Sequence, residues 1–216
     1  MAPGLSSDKS TAASSIYGER FTQRLEAFSD LVFGFSLSLL ATRLDVPPNI
    51  SEVFEPTRWG TFLITFAMIC ALWLAHYRIF RSRFIARPPD VIINFIFLFG
   101  IAVLPYAVQT FLRFTIGRNA IILYFGDFAL IFTALATLRW RALNQRRGDP
   151  NPDIRLREWR GTVRQYGIVL VIVACLVGMD TGAIAKEKFY SLVPAAIIAV
   201  TVITRMTVRR LPRFLH

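Results

Sequence analysis

Cysteine and histidine are almost missing from this chain. Two of each among 216 residues are too few for a disulfide framework or a His/Cys metal centre. Cys70 and Cys175 both fall inside long apolar runs, where a thiol packs as a small buried hydrophobe. No His-x-x-x-His or Cys-x-x-Cys spacing occurs, which removes the common metal-site patterns. The first 17 residues, MAPGLSSDKSTAASSIY, lack the basic start and apolar core of a secretory signal. Residues 1–17 read instead as a short, polar, disordered tail. Acid is also scarce: 14 Asp and Glu stand against 25 Lys and Arg, a net charge of +11.

What the chain has in excess is apolar sequence in blocks. It is 54% hydrophobic with a mean hydropathy of +0.48, above the share typical of soluble domains. A membrane span needs about 20 mostly apolar residues. Six such runs are present, at 22–43, 59–79, 91–112, 120–140, 164–180 and 189–208. The expected fold is an all-α integral membrane protein, with one six-helix transmembrane domain over residues 18–216.

The basic residues are sorted by loop, which explains the net charge without nucleic acid as a partner. Nineteen lie near the N-terminus (Lys9, Arg20, Arg24), in the second loop (Arg78 to Arg87), in the fourth loop (Arg139 to Arg164) and at the C-terminus (Arg205 to Arg213). Six lie on the other side: Arg43, Arg58, Arg113, Arg118, Lys186 and Lys188. The positive-inside rule then puts both termini in the cytoplasm, with the Arg-rich fourth loop also touching anionic membrane lipids. The stretch from Arg146 to Asp153 reads as a polar cytoplasmic turn. Asp45, Glu52 and Glu55 make the first outer loop acidic.

The first apolar run carries charge where a helix would cross lipid: Arg24-Leu25-Glu26-Ala27-Phe28-Ser29-Asp30. A charge inside the bilayer costs about 2.5–3.5 kcal/mol on the gentlest scale, so this segment is expected to face protein or water. By depth, Ser29, Asp30, Trp73, His76 and Asn94 share an inner layer on three successive spans. Their carboxylate, imidazole, indole, amide and hydroxyl groups can satisfy one another there and join the helices. At helical rotation, Leu31, Phe35, Ser38, Leu39 and Thr42 form one stripe; Asp30 lies about 140° from Phe35 and Ser29 about 120° to the other side. The stripe can line a pore or simply pack. Asp127, in the outer half of the fourth run, is expected to pair with Arg113 or Arg118.

Arg24-x-x-x-Phe28-Ser29-Asp30 resembles the signature of the transmembrane protein 175 family, the endosomal and lysosomal potassium channels and their bacterial relatives. Trp73-x-x-His76-x-x-x-Phe80 on the second run, then Asn94 and Leu104-Pro105-Tyr106 on the third, follow in the family's order over residues 20–110. The resemblance implies a potassium-over-sodium channel without a Thr-Val-Gly-Tyr-Gly filter, a motif also missing from this sequence. It further implies one six-span unit per chain, a homotetramer in a bacterial plasma membrane, and a pore lined by the first helix. Potassium is then the permeant species, passing close to Ser38 and Thr42, and no cofactor is expected. The family's apolar constriction falls on Phe35, where an Ile is usual, with Leu31, Ser38, Leu39 and Thr42 around it. Its interhelical contacts fall on Ser29, Asp30, Trp73 and His76.

Two other classes compete. A proton-linked transporter would use Asp30 and His76 as a relay, but transporters usually show repeats with broken helices, and no repeat is visible. A hydrolase built on Ser29, Asp30 and His76 fails on geometry: adjacent residues diverge by about 100° on a helix, a poor start for a triad. The chain is not expected to be an enzyme.

Overall fold

The computed structural model describes residues 5–42, 44, 47–81, 84–114, 117–145 and 152–210. Most of the expected turn at 146–153, and the basic or acidic positions Arg43, Asp45, Arg83 and Arg213, lie outside the described residues. Among the described residues six α-helices follow one another: α1 Leu5–Ala41, α2 Pro56–Phe80, α3 Pro88–Arg113, α4 Arg118–Gln145, α5 Pro152–Asp180 and α6 Lys186–Arg210. A 3-10 turn, Ile50–Glu52, sits between α1 and α2. No strand occurs among the described residues.

By length and apolarity, Pro56–Phe80, Pro88–Arg113, Arg118–Gln145 and Glu158–Asp180 can each cross a membrane. Ser191–Thr204 is a shorter apolar stretch within α6. The protein is thus a multi-pass membrane protein. The first helix is not among the four, and it differs from expectation at its start. The stretch read as a disordered tail is helical from Leu5 onward. Ser, Thr and Ala dominate there, and none forbids helix; once α1 has nucleated, each added residue costs little.

Proline marks both the start of α3 and an irregularity within it. Pro88 and Pro89 occupy the first positions of α3, where a missing N–H is harmless. The Asp90 carboxylate then accepts the backbone N–H of Arg87 at 2.9 Å, placing negative charge on the positive end of the helix dipole. Pro105 lies inside α3 and is buried; it denies Ile101 a backbone donor, yet the helix runs on to Arg113.

Packing is most extensive between α3 and α4, then α4 and α5, then α5 and α6. The first helix lies across α3 and α2. Phe33, Ile69, Leu72, Phe97, Ile101, Leu104, Ile131, Leu135 and Leu138 form the main core. Ile121, Met179 and Val193 join α4, α5 and α6 at the far end. The contact of α3 with α4 is tight at Gly100. A Cβ there would stand 2.5 Å from Cγ1 of Ile131 and 3.0 Å from Cδ2 of Leu130, so only glycine fits.

Candidate functional site

The first helix has two faces of opposite character. Thr22, Leu25, Ser29, Phe33, Ser36 and Leu40 are buried; spaced by three and four, they form one seam against the rest of the chain. On the other side Leu31, Phe35 and Leu39 are 61, 69 and 51% exposed, and Ser38 and Thr42 are exposed beside them. Among the described residues, nothing covers that stripe.

The buried seam ends in a directed run of hydrogen bonds. Asn94 of α3 donates Nδ2–H to Oγ of Ser29 at 3.0 Å. The Ser29 hydroxyl donates in turn to the carbonyl of Leu25 at 2.8 Å. Oδ1 of Asn94 lies 2.7 Å from Nε2 of His76, and since an amide oxygen can only accept, Nε2 carries the proton. Three helices, α1, α2 and α3, are thereby joined by fully buried side chains. The imidazole is fixed in orientation by its ring neighbours: it stacks on Phe97 with centroids 5.1 Å apart and 1° between planes. Phe80 and Phe33 flank it at 4.5 and 5.9 Å.

A second bond lies beside the first, nearer the surface. Trp73 donates its indole N–H to Oδ1 of Asp30 at 2.8 Å, again joining α2 to α1. The indole stacks on Tyr77 at 5.5 Å. Phe28 meets Phe95 of α3 edge to face at 5.8 Å. Arg24 is exposed one turn before Phe28. Ser29, Asp30, Trp73, His76 and Asn94 therefore occupy one layer. Asp30 and His76 are not bonded to each other, however: each is engaged by a different partner. That gap weakens a direct Asp–His relay.

On the bare stripe the hydroxyls are committed in a particular way. Ser38 donates to the carbonyl of Gly34 at 3.0 Å, and Thr42 donates to that of Leu39 at 2.9 Å. Their protons point back into the helix, so lone pairs face outward.

Sequence reading missed the bracing at the basic end, where α2 finishes and α3 begins. Asp90 is wholly buried and pairs with Arg141 of α4. Oγ1 of Thr22 accepts the backbone N–H of Ala86 at 2.9 Å. Gln145 holds Ile85 through both its N–H and its carbonyl, at 3.2 and 3.1 Å. An Asp directly after two prolines does signal a helix start, but its partner 51 residues away carries no local signal. The expected partner of Asp127 is also corrected. Arg118 pairs with Asp180 instead, and Oδ2 of Asp127 is buried with no hydrogen-bond partner. Asp127 lies against Gly100, across the tight α3–α4 contact, too deep for the loop arginine.

Residues 24–105 match the family model described as Endosomal/lysosomal potassium channel TMEM175. A curated relative from Marivirga tractuosa, named as a potassium channel, is 29% identical over 114 residues, which is 52% of this chain and 44% of that protein. The chain thus spans less than half the length of that relative. Among solved structures, a variant of the potassium channel MtTMEM175, crystallised with a nanobody–MBP fusion, aligns with a TM-score of 0.67 at 20% identity, over 85% of this chain and 93% of that one. At that identity the likeness shows the fold. The matched family and relative are ion channels rather than enzymes, and this chain resembles the endosomal/lysosomal potassium channel TMEM175 family on the three helices that carry the buried hydrogen-bond run.

Proposed function

We propose that this chain is one subunit of a homotetrameric, potassium-permeable channel whose axis is lined by α1. The observation that carries the proposal is the second stripe of that helix. Its opposite face is fully engaged, while Leu31, Phe35 and Leu39 stand bare. Four copies around an axis would turn these side chains on one another and narrow the path at Phe35. Bulky apolar rings of this kind gate by dewetting.

Ser38 and Thr42 sit on the same stripe with their protons already donated to the helix backbone. Their oxygens are therefore available to replace part of a potassium ion's water. Selectivity for potassium over sodium follows from that partial replacement beside an apolar neck. Ser29, Asp30, Trp73, His76 and Asn94 hold α1 to α2 and α3 and fix which face meets the axis. The basic end lies in the cytoplasm of a bacterium, by the distribution of arginine, and the channel sits in its plasma membrane.

A proton-linked transporter is the other class open to a membrane Asp and His. It is not favoured, because His76 bonds to Asn94 and Asp30 to Trp73. Liposome flux separates the two. The purified protein, confirmed as a tetramer, is reconstituted with potassium inside, and sodium and a large organic cation serve as comparisons. Passive flux with potassium above sodium supports the channel. Uptake that requires a proton gradient would replace it with the transporter.

A further inference from the structure

At the end remote from the basic loops, the first three helices leave a gap. The last turn of α1, the first turns of α2 and the last turns of α3 enclose a cavity of about 310 Å³, large enough for a small ligand. Its buried lining is apolar: Leu40 of α1 and Val108 of α3 are 4 and 6% exposed. Phe62 of α2 adds a ring beside them. Its more accessible lining is polar and comes from Glu55, Arg58 and Gln109.

The charges of this lining come as a pair. Nε of Arg58 stands 3.9 Å from Oε2 of Glu55, with side chains 29 and 50% exposed. That is an ion-pair distance but too long for a hydrogen bond, so the two groups do not use up each other's hydrogen-bonding capacity. A purely cationic ligand would meet Arg58, and a purely anionic one would meet Glu55; a zwitterion suits both. The side-chain amide of Gln109 can donate and accept beside them. Phe62 is the one ring among the described lining residues, so no aromatic cage for a quaternary ammonium is present. The carboxylate is better matched by a primary ammonium, which brings N–H donors. Phe62 meets Trp59 edge to face at 6.0 Å, and Trp59 is 37% exposed. Tryptophans at the ends of membrane helices mark the headgroup level.

We propose that this cavity binds a phosphoethanolamine group, the headgroup of phosphatidylethanolamine. Arg58 takes the phosphate through its guanidinium fork, Glu55 takes the ammonium, and the hydrocarbon of the ligand covers Leu40, Phe62 and Val108. The site rests on the membrane placement of the chain and not on conduction, so its test reads no ion flux.

A ligand bound only by the folded protein raises its thermal midpoint. The full chain, purified in detergent, is heated with added phosphatidylethanolamine, phosphatidylcholine or phosphatidylglycerol of the same acyl chains, and with soluble glycerophosphoethanolamine. The expected result is a rise of several degrees in Tm with phosphatidylethanolamine, at least twice that with either other lipid. Glu55→Gln should bring this rise down to the phosphatidylcholine value, and Arg58→Gln should remove at least half of it. Equal rises with the three lipids would overturn the proposal, as would an unchanged preference in both variants. Glycerophosphoethanolamine separates the sources: no rise assigns the site to the membrane lipid, and a full rise assigns it to a soluble phosphoethanolamine. Should Arg58→Gln not fold, Glu55→Gln carries the comparison, because its side chain is half exposed.

Discussion

Ser29 and Phe35 sit on opposite faces of one helix: Ser29 is fully buried and hydrogen-bonded to Asn94, while Phe35 is 69% exposed. The helix holds the rest of its chain with one face and presents large apolar rings on the other. If those rings meet around an axis, shortening them should widen the path. Phe35→Ala is expected to raise potassium flux about tenfold, equivalent to roughly 1.4 kcal/mol off the barrier. Liposome flux at matched protein density is the measurement, and unchanged or lower flux would remove Phe35 from the constriction.

Asn94 is the middle member of a three-helix hydrogen-bond run. Asn94→Ala strands the His76 N–H and removes the donor to Ser29, both in buried surroundings. A stranded buried group costs about 1–3 kcal/mol. The expected outcome is a clearly lowered thermal midpoint in detergent.

Asp30 can be separated from its charge. Trp73 needs only an acceptor oxygen, and Asp30→Asn keeps one. Asp30→Asn should therefore retain assembly and most of the flux, while Asp30→Ala loses a bond to a charged group worth about 1.5–3 kcal/mol. A proton relay makes the opposite forecast for Asp30→Asn, namely loss of pH coupling. Flux across a pH series on both variants decides the matter.

Two ion pairs of like composition should differ sharply in worth. Arg141 pairs with an Asp90 carboxylate that is 0% exposed, whereas Arg118 and Asp180 are 53 and 52% exposed. Arg141→Gln leaves a buried charge and should cost about 3–5 kcal/mol. Arg118→Gln should cost under about 1 kcal/mol. Chemical denaturation of the two variants side by side checks the ordering.

Gly100 tolerates no side chain without movement of Ile131 and Leu130. Gly100→Ala should destabilise by about 1–3 kcal/mol, the range for overpacked cores. Wild-type stability in this variant would mean that α3 and α4 separate freely.

The helices and the polar layer were legible in the sequence for the same reason. Long apolar runs announce spans, and an Asp, a His and an Asn inside such runs must find partners at their own depth. Trp73 and His76, three residues apart, could be placed on one helix face. The tie between Arg141 and Asp90 was not legible, because nothing local links two charges so far apart in the chain. Asp127 misled for the opposite reason: a nearby loop arginine suggests a partner, but tight packing at Gly100 sets the depth of the carboxyl. The early start of α1 was hidden because short polar residues suit both tails and helices.

The bonds from Ser29 and Asp30 also restrict how α1 can move. They leave the helix in adjacent directions, to Asn94 on α3 and to Trp73 on α2. Turning the helix by one residue, about 100°, would break both at once. Thr22, two turns earlier on the same helix, adds a third tie, to Ala86. The helix is keyed like a shaft in its socket and cannot act as a rotary valve. If the proposed channel holds, changes in its width would fall to side-chain rotamers at Phe35 or to tilting of whole subunits.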